Sequence, residues 1–363
     1  MRLFEKVALN MDGVDIADYV TDEVVFYEFN IPASKRVGYV RSMGREDTLQ
    51  GEFYMVDQQV KQVLEFKNGA QTPKYYQPSL ELWIPLLLWF NKDVGQSLNN
   101  IKIKTAQRNI DIYLTTLNKI IQAIDVNDNV VPNAISNFRI DGMELYTKNI
   151  YVNSEIHDLF LNRINMSIIR INKRHTEILS SEEGEIHLHQ LKYGIEYLKF
   201  GFRPLENEES FDNWHKFSKI TIEELPHVTV INNPIVAPVQ QVVIKTIKFI
   251  KCGDVVDKVG FKVFGNILYP KTSPAFYNRH IPLLNPHIVT PEDCGKMIVP
   301  FDLLPGGREI TGYLQSSRLR EFYLMYDAIG KINDNNRVRV FMSAESIAFL
   351  YYDAFSIHIK YIT

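Results

Sequence analysis

Cysteine is nearly absent from this 363-residue sequence, which holds Cys252 and Cys294 and no other. Two thiols do not make a disulfide framework, so a reducing compartment fits better than secretion. Charge of one sign is missing too: 40 basic and 43 acidic residues leave a net charge of −3. Neutralising nucleic-acid phosphates takes a Lys/Arg excess, so a strongly basic nucleic-acid binder is excluded. No apolar run approaches the roughly 18 residues of a membrane span. The longest, Leu82 to Phe90, contains Pro85 and stops at Asn91. The opening residues, Met1 to Asn10, lack the apolar stretch and small-residue cleavage site of an export signal. Also missing are a Walker-type glycine loop, a Gly-x-Ser-x-Gly elbow and a His-Glu-x-x-His pair. No catalytic, cofactor-binding or metal residue is therefore assigned, and no enzyme is expected.

What the chain does hold is aromatic. It has 19 Tyr, 21 Phe and 3 Trp, broken up by 16 Pro and 18 Gly. Aromatic richness with frequent Pro/Gly breaks leans toward an all-β protein. With 45% hydrophobic and 23% charged residues, the chain can bury a sizeable core, and its length suits about two domains. Period-two alternation marks half-buried strands at 101–104, 110–114, 198–203, 220–223, 338–342 and 357–361. Val24 to Phe29, Leu82 to Phe90 and Val242 to Ile250 are more continuously apolar and read as strands covered on both faces. Helical signals are few. Thr115 or Thr116 heads a turn or two reaching Ile124; Ser154 precedes Ile156, Leu159 and Phe160; Ser343 precedes Ile347 and Leu350. Short helices that do not recur after every strand disfavour a doubly wound α/β fold.

The polar, acidic run Thr176 to Gly184 reads as a linker, dividing the chain into residues 1–178 and 186–363. Further loops are expected at 206–213, 232–238, 331–336 and 269–291, the last with five prolines. The halves also echo each other. A strand, an Asp12-Gly13 turn and a second strand over 3–32 resemble the pattern over 243–270 with its Cys252-Gly253 turn. Tyr151 to Ile156 resembles Phe341 to Ile347, each a strand running into a capped helix. Duplication of one β domain is the expectation, and two sandwiches with long loops suit a pair of jelly rolls.

Particular runs carry a family resemblance. Pro73-Lys74-Tyr75-Tyr76-Gln77-Pro78, then Leu82-Trp83-Ile84-Pro85 and Trp89-Phe90-Asn91, resemble the major capsid proteins of nucleocytoplasmic large DNA viruses, of the African swine fever virus type. Glu144-Leu145-Tyr146 and Glu155 to Phe160 resemble the end of that family's first jelly roll. Ile195-Glu196-Tyr197 and Trp214 to Phe217 resemble the start of its second. Pro291-Glu292-Asp293, Gly312-Tyr313-Leu314, Ser317 to Tyr323 and Ser343 to Ile347 resemble its C-terminal strands. The resemblance covers nearly the whole chain, and the ordered set is what makes it specific. It implies two adjacent eight-stranded jelly rolls. It also implies a homotrimer forming a pseudo-hexagonal capsomer, packed against neighbouring capsomers and minor capsid proteins in an icosahedral virion shell. Such a shell assembles in host cytoplasm, with no cofactor, no direct nucleic-acid contact and no membrane span. In the family the segment resembling Arg2–Tyr19 lies well inside the first roll. The first roll is thus expected to lack its N-terminal part here. The rival readings are a capsid-like assembly scaffold and a sugar-binding or cupin-type jelly roll.

Other residues invite chemistry but have plainer readings. Glu185, His187 and His189 share a strand face, as a metal would want, or are simply solvated. His215 beside Trp214 is a base, a sugar platform or a packed anchor. Pro305-Gly306-Gly307-Arg308 is an anion cradle or a turn. Cys252 and Cys294 pair, bind metal or stay idle. Asn165-Met166-Ser167 matches a glycosylation sequon, whose use is not expected. Arg318 and Arg320 meet acids on a neighbouring subunit or face water, and Glu206 to Asp212 reads as exposed loop.

Overall fold

The computed structural model describes residues 2–44, 50–56, 59–65, 79–103, 107–123, 130–131, 135, 138–162, 166–231, 241–330, 332, 336–352 and 357–362; over 50–56, 59–65, 222–231 and 241–250 it describes the backbone alone. In chain order the strands are β1 (Phe4–Met11), β2 (Val14–Val20), β3 (Gln50–Val56), β4 (Gln59–Glu65), β5 (Arg108–Leu114), β6 (Met166–Ile178), β7 (Glu183–His187), β8 (Gly194–Pro204) and β9 (Lys219–Ile231). There follow β10 (Gln241–Gly253), β11 (Val256–Val263), β12 (Asn266–Thr272), β13 (Lys296–Pro300), β14 (Leu314–Gln315), β15 (Phe322–Ala328), β16 (Val338–Tyr352) and β17 (Ile357–Tyr361). The α-helices are short: α1 (Thr21–Phe26), α2 (Ala33–Ser42), α3 (Trp89–Lys92), α4 (Ser154–Asn162), α5 (Leu205–Glu209) and α6 (Ile281–Leu284). The protein is mostly β, as its aromatic content and alternation predict.

Among the described residues every strand pairing is antiparallel. The sheets run β2-β1-β5, β12-β11-β15-β7, β13-β8-β16-β17, and the two-stranded β9-β10 and β3-β4; β14 also pairs with β8, and β6 with β16. The β1–β2 hairpin turns at Asp12 (φ 52°) and Gly13 (φ 79°), where Gly13 N–H donates to Asn10 Oδ1 at 2.9 Å. Two successive positive φ values are what a tight two-residue hairpin needs, and Gly supplies the second without steric cost.

Two apolar cores form. One gathers Phe200, Phe202, Phe261, Phe322, Val340 and Met342 between the sheet containing β8 and β16 and the sheet containing β11 and β15. The other gathers Val7, Leu9, Met11, Trp89, Ile169 and Leu350. β16 belongs to both. Its first part, through Ala344, lies in the first of these cores, while Ala348, Leu350 and Tyr352 lie in the second. β6 pairs with it along nearly its whole length, and its other edge passes from β8 to β17. The register with β8 shifts between Glu345 and Ser346, where one core gives way to the other.

Several expectations are corrected. Val24 to Phe29 is not a strand but α1 running into a 3₁₀ turn over Tyr27–Asn30. Glu23 accepts from Val20 N–H at 2.9 Å, capping the helix start, and the spacing of Val25, Phe26 and Phe29 turns all three into a core. Leu82 to Phe90 is irregular up to Leu88, consistent with the missing amide of Pro85, before α3 begins. Ile101 and Lys102 form a turn, and Ile103 is buried without strand pairing; Lys104 lies outside the described residues. Only Leu117–Lys119 turns helically after Thr116, and Ile124 is outside the described residues. α4 forms, but its cap is Asn153, whose Oδ1 accepts from Ile156 N–H at 3.0 Å, and Ile156 and Leu159 face outward. Ser343 caps nothing: β16 runs straight through it. A strand buried on both faces needs apolar residues at mixed spacings, which imitates a helical period. β8 is likewise buried along its length, Lys199 and Arg203 included.

The expected surface loop at 269–291 holds the end of β12, a π-helical turn over Phe276–His280 and α6. Tyr277 and Asn278 are buried there, and Asn278 Nδ2 donates to the carbonyls of Asp293 and Lys296. Residues 232–238 and most of 331–336 lie outside the described residues, and 206–213 begins with α5. The internal echo is not matched. β1 and β2 form a hairpin, whereas β10 pairs with β9, and β11 with β12 and β15. Tyr151 to Asn153 is irregular before α4, whereas Phe341 to Ile347 is mid-strand.

Candidate functional site: a charged seam and an apolar surface

Between the two cores lies a belt of buried charge. Glu345, 4% exposed at the register shift of β16, receives both a salt bridge from Lys92 Nζ at 2.9 Å and the hydroxyl hydrogen of Tyr197. Burial pushes the Glu345 carboxyl up, but Lys92, Lys199 and the Tyr197 bond outweigh it and hold it at about 2. Burial lowers Lys199 to about 8, with Glu345 opposing; its Nζ donates to Asn30 Oδ1 at 2.7 Å. Arg170 on β6 forms a two-bond fork with Glu196 on β8 and also reaches the carbonyl of Arg308. Arg174 pairs with Asp18 and with Glu23, and Glu23 accepts from Ser343 Oγ at 2.8 Å. Arg203 clasps both Asp22 oxygens, and Lys296 reaches Glu28 at 2.6 Å. Buried pairs of this kind add little net stability over an apolar filling, but they fix one geometry, because breaking any of them strands a charge. The seam therefore ties residues of both cores to one another through buried charge.

Asp302 is the exception in this belt. Both of its carboxylate oxygens are buried without a hydrogen-bond partner. Burial, then nearby Glu196, pushes the carboxyl up to about 7. Both effects favour the neutral form, which buried acids adopt when unpaired.

Exposed apolar side chains are frequent along residues 138–162, interspersed with exposed charged ones. Met143, Leu145, Tyr146, Ile150, Ile156 and Leu159 are all exposed within 138–162, and Tyr151 is 91% exposed. Trp83 packs on Tyr146 with ring centroids 5.0 Å apart. Leu283, Leu284 and Leu303 add further exposed apolar tips.

The residues singled out in the sequence are scattered by comparison. Glu185, His187 and His189 do face the same way. Glu185 binds Lys262 Nζ at 2.6 Å, however, and His187 Nε2 and His189 Nδ1 each meet a backbone carbonyl. Among the described residues no three His, Cys, Asp or Glu side chains are placed to hold a metal ion. Trp214 and His215 meet edge to face at 5.7 Å, the Arg2 guanidinium lies 5.1 Å over Trp214, and burial lowers His215 to about 4. At Pro305 to Arg308 the chain makes a turn, with Gly307 N–H donating to Leu304 O at 3.0 Å. Arg308 approaches Asp93 at 3.6 Å. Cys252 is exposed and Cys294 half-buried, both as free thiols. Asn165 of the sequon lies outside the described residues, as do Pro73 to Pro78. The backbone carbonyl of Arg320 accepts from His187. Glu208, from the acidic run, is not free loop but pairs with Arg339 and Arg203.

The seam residues escaped the sequence reading as partners, although two of the quoted runs contain them. Glu196 and Tyr197 come from one run and Glu345 from another, and a charged residue inside an apolar strand was the available signal.

Comparison with solved structures gives the class. The major capsid protein of Faustovirus superposes with a TM-score of 0.73 at 22% identity, covering 97% of this chain and 72% of that one. The capsid of the virus PBCV-1 superposes with a TM-score of 0.63 at 14% identity, covering 100% and 84%. The fold is the double jelly roll of large-virus capsid proteins. In sequence the chain resembles the major capsid protein of African swine fever virus. Hexon protein p72 of a Malawi tick isolate and the major capsid protein of a Kenyan pig isolate are each 29% identical over 346 residues, covering 82% of this chain and 51% of the relative. The chain thus spans about half the length of the curated relatives it matches. No family model matches.

Proposed function

We propose that this chain is a shell-building protein with no enzymatic role: a major capsid protein whose trimers form pseudo-hexagonal capsomers of an icosahedral virion. The observation that carries the reading is the pair of cores joined through one strand, β16, and clamped by buried charge. Two rigid β bodies per copy, repeated threefold, give six similar corners, and tiling demands that their mutual angle stay fixed. The likeness to the African swine fever virus and Faustovirus capsid proteins supports the same reading. The two bodies correspond to residues 1–178 and 186–363, with α1 and the C-terminal strands reaching across to the other core. The exposed apolar stretch at 138–162 serves lateral contacts between copies, where obligate interfaces bury roughly 2,000–5,000 Å². Assembly proceeds in host cytoplasm, beside minor capsid proteins and without direct contact to the genome.

Mass photometry of the purified protein tests the reading. A trimer with a pseudo-hexagonal outline in negative-stain images is expected, and a stable monomer at micromolar concentration would sink it. Detection in purified mature particles separates a shell component from a transient scaffold.

A further inference from the structure

We propose that His175, packed in a row with the rings of His189 and His187, is a proton-sensitive joint at the corner where β6 leads into β7, closed while its ring is neutral and loosened as it takes up a second proton. The inference goes beyond the shell-building role and does not depend on it.

His175 lies on β6 opposite Met342 of β16 and is 2% exposed. Its Nε2 lies 3.4 Å from Glu177 Oε2, while its Nδ1 is buried without a hydrogen-bond partner. The ring of His189 meets it edge-on, with centroids 5.3 Å apart. The ring of His187 follows at 5.7 Å from His189 and stacks on Tyr323 at 5.0 Å. His187 Nε2 lies 2.9 Å from Arg320 O, and His189 Nδ1 lies 3.1 Å from His187 O. A carbonyl can only accept, so those nitrogens carry the hydrogens of the neutral rings. By the same logic the hydrogen of neutral His175 points from Nε2 to Glu177. A second proton on His175 must then enter at the buried Nδ1, beside the Gln190 side chain, whose hydrogen bond favours the charged ring.

The surrounding charges do not rescue that proton. On β6, Glu177 is the acid at hand, and it is 48% exposed. The turn after β7 presents His187, His189 and the amide of Gln190. β15 contributes Tyr323, and β11 contributes Lys262, which is already held by Glu185 of β7. Arg174 is committed to Asp18 and Glu23. Burial disfavours charged His175, Glu177 and the Gln190 side chain oppose it only in part, and His189 adds to the penalty, so the folded ring protonates less readily than a free one. The sign follows. The unfolded chain binds this proton first as pH falls, so the corner is fully stable above the ordinary histidine range, near about 6.5, and loses stability below it. The turn also carries Leu188 and Leu191 into a core, so loosening it uncovers apolar surface.

Hydrogen–deuterium exchange mass spectrometry on the whole chain, read at the histidine ring carbons and at the backbone amides, tests this. His175 is expected to titrate below the ordinary histidine range. Amide protection over 175–191 should fall as pH drops below about 6.5, by up to a factor of about 10 per pH unit, the limit for one proton. His175→Gln should flatten that fall, and His189→Ala should raise the titration midpoint of His175. Titration of His175 at or above the ordinary value overturns the proposal, and so does an unchanged loss of protection in His175→Gln. If that variant does not fold, the ring titration of the unaltered protein still decides. One-to-one stabilisation by Zn²⁺ at neutral pH would overturn it in favour of a metal site.

Discussion

Tyr197 donates its phenol hydrogen to Glu345 directly across the β8–β16 pairing, at the point where the strand register shifts and one apolar core ends. Neither residue is at the surface, and the bond joins chain segments 148 residues apart in sequence. It is the centre of the seam, and the behaviour of the seam can be measured.

Glu345→Ala leaves Lys92 and Lys199 facing each other without their shared carboxylate. Truncating one partner of a buried pair costs about 3–5 kcal/mol, and that loss is expected in guanidinium unfolding at pH 7. Because Glu345 is held at about 2, its contribution is present above the ordinary glutamate range and is lost as pH falls through about 2.

Asp302 works in the opposite direction. Its carboxyl is raised to about 7, so the folded state holds a proton that the unfolded chain releases near 4. Its stabilising effect is complete below about pH 4 and is lost as pH rises through about 7. Asp302→Asn keeps the shape without the titration. The variant should be more stable than the parent at pH 8, with a flatter melting temperature between pH 4 and 8 by calorimetry. A steeper profile in the variant would refute the assignment.

Phe26 lies on α1 and packs on Phe29 beside it and on the distant Phe217 and Phe341, its ring 4.8 Å from that of Phe217. Phe26→Ala is expected to cost about 3–5 kcal/mol, the usual penalty for emptying a buried aromatic site. Protection measured by amide exchange should drop in β8 and β16, not only near α1.

The two thiols should differ sharply in reactivity. Burial, then the Asp254 and Asp293 carboxylates, pushes Cys294 up to about 12, whereas Cys252 is exposed. Maleimide at pH 7.5 should label Cys252 alone in the folded protein and both residues after denaturation, as read by peptide mass spectrometry.

Much of this architecture was legible in the residues. The alternation at 110–114 and 357–361 marks real strands, because one periodicity dominates when one face is wetter than the other; 338–342 is a strand too, although both its faces are covered. Legibility failed where both faces are dry. β16 carries Ile347 and Leu350 at helical spacing because every position of a doubly covered strand is free to be apolar. Val24 to Phe29 failed for the converse reason: a helix sunk in a core on all sides has no polar stripe to reveal its period. The candidate site was half visible. Glu196-Tyr197 and Glu345 stood out as family-like runs, but that they touch is a tertiary fact without a local signal. The histidine corner shows the same limit, since His187 and His189 are two residues apart in sequence whereas His175 reaches them from the preceding strand.

β16 has one last implication, for synthesis on the ribosome. Both cores include residues of β16, which is made after most of their other residues, so neither core can close while the earlier segments are emerging. Distant partners of this kind slow folding and leave sticky edges uncovered in the meantime. Nascent copies keep apolar surface and strand edges uncovered until residues 338–352 are made.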